Sequence, residues 1–288
     1  VVSNMIGAGI FTTTGLMLAR TESGGLVLLV WLLGGLVALC GALSYAELAT
    51  MMPHAGGEYV YLREIYGPLP AFLTGWTSFF VGFSAPIAAS AVACAAYLSA
   101  AGVLPSTRVA QQSTAVGVVL ILTAIHYCGL RLGAWVQNVL TGLKLVLLGG
   151  LIAVGFAIGH GSWEFMSSTS GIWTRGHPTQ LGLTLLWAMF AYSGWNASGY
   201  IAGEVEEPGR TLPRSLLLGT LIVTLIYLLV NLLFFFAALP AQLSGVMPVA
   251  EVAAVQLFGP GAATRISSLI GLALLSSLSA YVLIGPRV

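Results

Sequence analysis

Charged residues are scarce in this sequence, and aspartate is absent from it. Only 7% of the 288 residues are charged and 58% are hydrophobic, whereas soluble domains usually carry about 25% charged residues. So few charges cannot cover a protein with a solvated surface, and lipid must therefore be the solvent for most of the chain. Ten basic and nine acidic side chains give a net charge of +1. That balance provides no basic face for nucleic acid and excludes this class of partner.

The sequence also lacks the motifs of common metal and catalytic sites. Cys40, Cys94 and Cys128 form no CxxC pair and lie in or beside apolar runs, as small packing residues do. GxSxG and HExxH are absent. Ser84 and His126 could be imagined as a protease dyad, but a histidine near a helix end is more often simply packed. No repeat resembles a channel filter. We therefore expect no cofactor and no metal, and a membrane-embedded enzyme or a channel is only an alternative.

Apolar runs long enough to cross a bilayer recur along the chain. In hydrocarbon every backbone polar group needs an internal partner, so runs of about 20 apolar residues predict spanning helices. Strands of a membrane barrel would instead alternate over about 10 residues, which does not fit. The fold class is therefore an all-α polytopic membrane protein with about eight transmembrane helices in a single domain. The predicted segments are residues 1–19, 26–50, 70–100, 113–129, 134–159, 180–203, 214–238 and 262–285.

Both ends of the chain fall beside apolar runs. The first run begins at residue 1 without a methionine or a basic leader, and the last ends close to residue 288. We expect a fragment truncated at both ends, and the first run is not a signal peptide. With the first end placed in the cytoplasm, inner loops hold five arginines and outer loops hold four, so the positive-inside rule does not decide the orientation.

Two of the eight segments contain glycine-rich interruptions. Segment 1 carries Gly7-Ala8-Gly9, and segment 6 carries Ser193-Gly194-Trp195-Asn196. Each glycine weakens a helix by about 1 kcal/mol relative to alanine. Close packing through small residues is the alternative explanation, and we prefer it for Gly34-Gly35 and Gly149-Gly150. Interrupted helices in corresponding positions of two halves indicate a transporter binding site, and segments 1 and 6 stand five segments apart.

A helix that is broken within the bilayer has two exposed ends with opposite polarity. The first half ends in C=O groups without partners, and the second half begins with N–H groups without partners. The N–H end attracts a carboxylate and the C=O end attracts an ammonium group. A zwitterionic α-amino acid satisfies both ends at once, so the predicted substrate is an amino acid.

Lys144 is an ionisable residue deep within a predicted span. It lies ten residues into segment 5, which at 1.5 Å per residue places it about 15 Å from the start of the helix. Ionisable residues within the membrane are functional candidates. We expect a coupling or gating role; snorkelling to the headgroups, or a misplaced helix boundary, is the alternative.

Three stretches of sequence form an ordered set of motifs. They are MIGAGIF at residues 5–11, YAEL at 45–48 with GGEY at 56–59, and FAYSGWN at 190–196 with EEPGRTLP at 206–213. In this order and spacing they resemble the first helix, the region after the second helix, and the sixth helix of the amino acid–polyamine–organocation superfamily. The form FAY-x-GWN resembles the L-type amino acid transporter branch and its bacterial relatives.

The resemblance implies a fold of twelve helices built on two inverted repeats of five helices. In this chain residues 1–159 would form the first repeat, and residues 180–285 would form an incomplete second repeat with helices 6–8. Helices 9–12 would be missing from the sequence. Helices 1 and 6 would be the two broken ones.

The resemblance also assigns substrate-binding residues at the two breaks. The N–H groups of the first break would hold the carboxylate, and carbonyls at the ends of both first halves would hold the ammonium group. Phe190 would be an aromatic gate, Ser193 would lie beside the substrate side chain, and Asn196 would hydrogen-bond the pocket or the unwound backbone. The substrate-binding set is Met5, Ile6, Gly7, Ala8, Gly9, Phe190, Ala191, Ser193 and Asn196.

Gating and coupling residues follow from the same resemblance. Lys144 would occupy the place of a bound sodium ion and would bridge the unwound first helix to the eighth through Ser276 or Ser277. This implies exchange or proton-linked transport without sodium. Phe190 and Trp195, which lies inside the second break, complete the gating set.

The expected substrate is a neutral amino acid, because no carboxylate lies beside either break; a cationic amino acid or a polyamine is the alternative. The lipid bilayer is the other partner. Residues 101–113 contain no cysteine, whereas animal L-type transporters are linked there to a glycoprotein, so no disulfide-linked heavy subunit is expected. The bacterial relatives suggest an integral, multi-pass protein of the bacterial inner membrane.

Overall fold

The computed structural model describes residues 1–164, 178–247 and 249–287. Within these ranges the secondary structure is helical and contains no β-strand. Over the same part of the chain, six helices are long and apolar enough to cross a membrane, which confirms the all-α polytopic fold class. The α-helices are α1 (Val2–Met5), α2 (Gly9–Thr21), α3 (Gly24–Met51), α4 (Glu58–Tyr66), α5 (Pro68–Thr77), α6 (Ala85–Ala100), α7 (Arg108–Tyr127), α8 (Leu130–Ile158), α9 (Pro178–Tyr192), α10 (Ala197–Tyr200), α11 (Pro208–Ala237), α12 (Pro240–Leu243), α13 (Val249–Phe258) and α14 (Ala262–Ile284).

The first and sixth predicted segments are broken, as the glycine pattern predicts. The first segment is divided into α1 and α2, which are separated by residues 6–8. The sixth is divided into α9 and α10, and Gly194 between them has a φ of +93°, a backbone conformation that glycine adopts without strain. Each half is shorter than a bilayer is thick, so these two segments are not among the six uninterrupted spans. The prediction of two broken helices is confirmed.

The core lies where α3 packs along α11 and α9. Trp31 is fully buried and meets the rings of Tyr192 and Tyr227 edge-on, with centroid distances of 5.7 and 5.2 Å. A Cβ atom at Gly35 would lie 2.4 Å from a methyl group of Thr224 on α11, so this glycine permits close helix packing. Added Cβ atoms at Gly149 and Gly150 of α8 would meet no described atom within 4 Å, so this pair makes no close helix contact within the described residues.

Three helices, α4, α12 and α13, lie in intervals between the predicted segments. The first, α4, joins the second and third spans. The last, α13, packs its buried apolar side chains against α2, α11 and α14. The backbone of Gly15 in α2 accepts a hydrogen bond from Gly245 N (2.9 Å), shortly before α13 begins. A Cβ atom at Gly15 would lie 1.9 Å from the carbonyl oxygen of Val246. The loop before α13 is therefore held directly against the second half of the broken first helix.

Candidate functional site

The break in the first segment leaves helical backbone on either side of a short turn. Ile6 at the end of α1 is buried, and the N–H of Gly7 donates to the carbonyl of Met5 (2.9 Å). The second half, α2, begins at Gly9 without a side-chain cap. The first N–H groups of a helix have no partner within the helix. Of the three predicted carboxylate-binding residues, Gly7 therefore has an internal acceptor for its N–H, and Ala8 and Gly9 lie at the uncapped end.

The two breaks are in direct contact. A Cβ atom at Gly9 would lie 3.0 Å from both Cα and Cβ of Ala191, which leaves no space for a larger residue. On the other side of the breaks, Asn4 Nδ2 donates to the carbonyl oxygen of Gly194 (3.2 Å). The ends of four half-helices therefore meet in one place, although the two breaks are almost 190 residues apart in the chain.

Tyr227 of α11 joins the first halves of both broken helices. Its side chain is fully buried, and its hydroxyl oxygen lies 2.7 Å from the carbonyl oxygen of Met5 and 2.9 Å from that of Ala191. A hydroxyl has one proton to donate, so these two carbonyls share it. Sequence reasoning missed this residue. A tyrosine in the middle of an apolar span was the available signal, because a buried tyrosine hydroxyl normally needs a hydrogen-bond partner.

The other carbonyls that the sequence assigns to an ammonium group also have partners within the protein. The Ile6 oxygen accepts from Lys144 Nζ and Ser277 Oγ, each at 2.7 Å. The Phe190 oxygen accepts from Ser193 Oγ (2.7 Å) and from the Ser193 N–H (3.2 Å). A carbonyl oxygen has two lone pairs. An incoming ammonium group must therefore share or displace these internal donors.

Lys144 of α8 is fully buried, and its side chain reaches the end of α1. Its Nζ donates to the carbonyl oxygens of Ser3 (3.1 Å) and Ile6 (2.7 Å) and to Ser277 Oγ (2.7 Å). Its three described partners are neutral oxygens, one for each hydrogen of an ammonium group. The lysine therefore connects α8 to the broken first helix and to α14. Ser277 is its contact on α14, and Ser276 instead places its Oγ 2.5 Å from Ser3 Oγ.

The other predicted residues of the second break differ in their surroundings. Phe190 is 62% exposed and Ser193 is also exposed. Trp195 packs edge-on against Tyr45 of α3, with ring centroids 4.9 Å apart. A Cβ atom at Gly41 would lie 2.7 Å from the Trp195 ring. The indole of Trp195 thus anchors the second break to α3.

The side chain of Asn196 contacts Tyr200 of α10 and approaches Glu58, the first residue of α4. Its Nδ2 donates to the hydroxyl of Tyr200 (3.3 Å) and lies 3.5 Å from Glu58 Oε2. The Tyr200 hydroxyl donates to the other carboxylate oxygen of Glu58. Burial, and then the Glu58 carboxylate, raise the pKa of Tyr61 on α4 to about 12. Neither Glu58 nor Tyr200 was predicted from the sequence, although GGEY is one of the motifs.

The family follows from comparison of the whole chain with known proteins. A family model described as "Amino acid permease" matches residues 1–288. The chain belongs to the amino acid permease family. The resemblance inferred from its motifs is confirmed.

Relatives of the chain include animal and bacterial proteins. It is 36% identical over 248 residues to "b(0,+)-type amino acid transporter 1" of Mus musculus, covering 84% of this chain and 50% of that protein. It is 32% identical over 265 residues to "Asc-type amino acid transporter 1" of Mus musculus, covering 90% and 50%. It is 32% identical over 294 residues to "Serine/threonine exchanger SteT" of Bacillus subtilis (strain 168), covering 100% and 64%. The chain spans about half the length of the first two.

A cavity of about 550 Å³ adjoins the two broken helices. It lies between the first half of the first segment, the second half of the sixth, and α8, α11 and α14. This volume is within the range of small-molecule sites. The polar residues that line it are Ser3, Asn4, Gln137, Asn138, Thr141, Ser198, Thr211 and Ser215.

The described part of the chain contains no cluster of histidine, cysteine and acidic residues that could hold a metal ion. Cys40, Cys94 and Cys128 are free thiols, and Cys94 is buried while the other two are exposed.

Proposed function

We propose that the full-length protein is a secondary active transporter that carries amino acids across the membrane by alternating access. The observation that supports this most directly is the meeting of two broken helices, at which Gly9 contacts Ala191 and Asn4 contacts Gly194. Bare helix ends of opposite polarity then lie within reach of one small zwitterion. The names of three relatives, two amino acid transporters and one serine/threonine exchanger, support the same function.

The proposed site uses backbone groups on both sides of the first break. The substrate carboxylate binds the N–H groups at Gly7-Ala8-Gly9, where α2 begins uncapped and Gly7 gives up its bond to the Met5 carbonyl. The ammonium group binds the carbonyls at Met5, Ile6, Phe190 and Ala191, in exchange for part of their hydrogen bonding to Tyr227, Lys144 and Ser193. Phe190 covers the substrate, and Ser193 limits the space for its side chain. The substrate is neutral, because the polar residues lining the adjoining cavity include no carboxylate.

Lys144 is the proposed coupling residue. A fixed ammonium group that binds two backbone carbonyls and a serine hydroxyl supplies the contacts that a bound cation would make. Transport is then independent of sodium and proceeds as exchange or with proton movement. We further propose that residues 1–159 and 180–285 are inverted repeats, each of which begins with a broken helix. The B. subtilis relative supports placement in a bacterial plasma membrane. The absence of cysteine from residues 101–113 supports a protein without a disulfide-linked subunit.

Counterflow in proteoliposomes tests this proposal. Full-length protein is reconstituted in liposomes loaded with unlabelled serine, and uptake of labelled serine, alanine, leucine and arginine is measured with and without sodium. Accumulation of the neutral amino acids that persists without sodium is expected. Protein-free liposomes, and liposomes without internal amino acid, are the controls. Absence of counterflow for every amino acid would refute the proposed function, and strict dependence on sodium would refute the role of Lys144.

A further inference from the structure

The loop between the second and third spans lies directly against the second half of the broken sixth helix. The N–H of Gly56 donates to the carbonyl oxygen of Tyr200 (3.2 Å). Gly57 has a φ of +50°, and a Cβ atom there would lie 2.9 Å from the ring of Tyr200. The two glycines therefore bring the N-terminus of α4 against the end of α10.

Glu58 is the first residue of α4, and its carboxylate faces α10. One oxygen accepts a hydrogen bond from the Tyr200 hydroxyl, and the other lies 3.5 Å from Asn196 Nδ2. Asn196 and Tyr200 also contact each other at 3.3 Å. Asn196 is the N-cap residue of α10 and Tyr200 is its last residue. The carboxylate thus contacts groups at both ends of this half-helix.

A helix as short as α10 depends on its surroundings for its orientation. It contains four residues, Ala197–Tyr200, whereas isolated helices shorter than about 12 residues are marginal in water. Its other described polar side-chain contact is between two neutral hydroxyls, Ser198 and Ser215, at 3.2 Å. Hydrogen bonds to a charged acceptor are stronger than those between neutral groups. Among these contacts, Glu58 therefore contributes the strongest hold on α10.

We propose that Glu58 is a positioning residue for transport, which acts on the substrate site through Tyr200 and Asn196. Its carboxylate holds α10 against α4 and thereby fixes the turn at residues 193–196, which precedes α10. Ser198 of α10 also lines the 550 Å³ cavity, so movement of α10 would change access on the side of the membrane where α4 lies. This inference rests on the proposed function and assigns a residue to it that does not contact substrate.

A double-mutant cycle tests the proposal in transport. Glu58→Gln, Tyr200→Phe and the double variant are made in the full-length protein, and exchange kinetics are measured from each face in vesicles of one orientation. Each single variant is expected to change KM on the α4 side by about tenfold, the factor that one charge-assisted hydrogen bond supports. The KM on the opposite side is expected to change much less. The double variant should be no worse than either single variant, because both remove the same interaction. Glu64→Gln, an exposed position on the same helix, is the matched control.

A labelling experiment tests the same contact without transport. Ser198→Cys is introduced after Cys40, Cys94 and Cys128 are replaced, and its reaction with a membrane-impermeant maleimide is followed from the α4 side. Ser198 is 8% exposed, so labelling should be slow with Glu58 present and at least about tenfold faster with Glu58→Gln. Glu58→Asp, which keeps the charge, should give an intermediate rate, and a monodisperse elution profile checks folding.

The outcomes separate this inference from the proposed function. Wild-type kinetics from both faces in Glu58→Gln, independent effects of Glu58 and Tyr200, or unchanged labelling would each overturn the positioning role. Faster labelling in a protein that shows no counterflow would support the contact and refute the transport function instead.

Discussion

Removal of the Lys144 side chain should abolish transport and leave a folded protein. Lys144→Ala deletes three hydrogen bonds, to the carbonyls of Ser3 and Ile6 and to the hydroxyl of Ser277. The Ile6 oxygen keeps its bond to Ser277 Oγ. The Ser3 oxygen loses the described donor from α8, and α1 loses its link to that helix.

The magnitude follows from the contacts. A hydrogen bond to a charged group contributes about 1.5–3 kcal/mol. At the lower value, the two bonds to the backbone carbonyls of Ser3 and Ile6 together contribute about 3 kcal/mol. If these contacts hold the break in its transporting geometry, the exchange rate falls roughly 150-fold. Stability should change far less, because the variant also removes a buried charge whose described partners are neutral, and the lost desolvation penalty offsets the lost bonds.

The assay compares three variants by counterflow and by thermal denaturation in detergent. Lys144→Ala and Lys144→Met remove the charge, and the methionine keeps most of the buried volume. Both should lose exchange while they elute as monodisperse protein with a similar midpoint of unfolding. Arg131→Ala, an exposed basic position near the start of the same helix, should retain exchange. Unchanged uptake in both Lys144 variants would refute the reasoning, and unfolding of both would show that the lysine is structural.

Three further predictions concern the contacts at the breaks. Tyr227→Phe removes a hydroxyl shared by two carbonyls and should change substrate affinity about tenfold, as measured by concentration-dependent exchange. Gly9→Val should abolish exchange, because even a Cβ atom at this position would lie 3.0 Å from Ala191. Gly117→Val is the control, because a Cβ atom there would meet nothing within 4 Å. Equal effects of the two substitutions would contradict the steric argument. Gly194→Ala imposes a side chain at φ +93° and should lower stability by about 1–3 kcal/mol, which an unchanged unfolding midpoint would disprove.

The sequence was sufficient to locate the two breaks because local composition causes them. The glycine-rich stretches at 7–9 and 193–196 weaken a helix locally, and the breaks at residues 6–8 and 193–196 overlap them. Local composition also placed the six uninterrupted spans, with ends that differ from the structure by a few residues. The helix α13 was missed because its ten residues, eight of them apolar, are too few to span a bilayer, and its burial depends on contacts with α2, α11 and α14.

The hydrogen-bond partners of the polar groups at the two breaks could not be predicted from the local sequence. Tyr227 is 36 residues from Ala191 and 222 residues from Met5, so its role depends on how α11 crosses both broken helices. Asn196 was expected to face the pocket or the unwound backbone. Its amide nitrogen instead approaches Tyr200 and Glu58, and the pairing of these groups depends on the loop that places α4 beside α10.

The internal hydrogen bonds make the two ends of the first break unequal. On the carbonyl side, the oxygens of Met5 and Ile6 already accept from Tyr227, Lys144 and Ser277. On the N–H side, α2 begins without a side-chain cap, and its first N–H groups have no partner within the helix. A carboxylate gains contacts with the N–H groups of Ala8 and Gly9 without displacing a described acceptor, whereas an ammonium group must compete for its carbonyls. The carboxylate should therefore contribute the larger share of binding. An amino acid amide, which lacks that charge, should therefore compete for exchange much more weakly than an amine-blocked amino acid of the same size, and the reverse order would show that the carbonyl end dominates recognition.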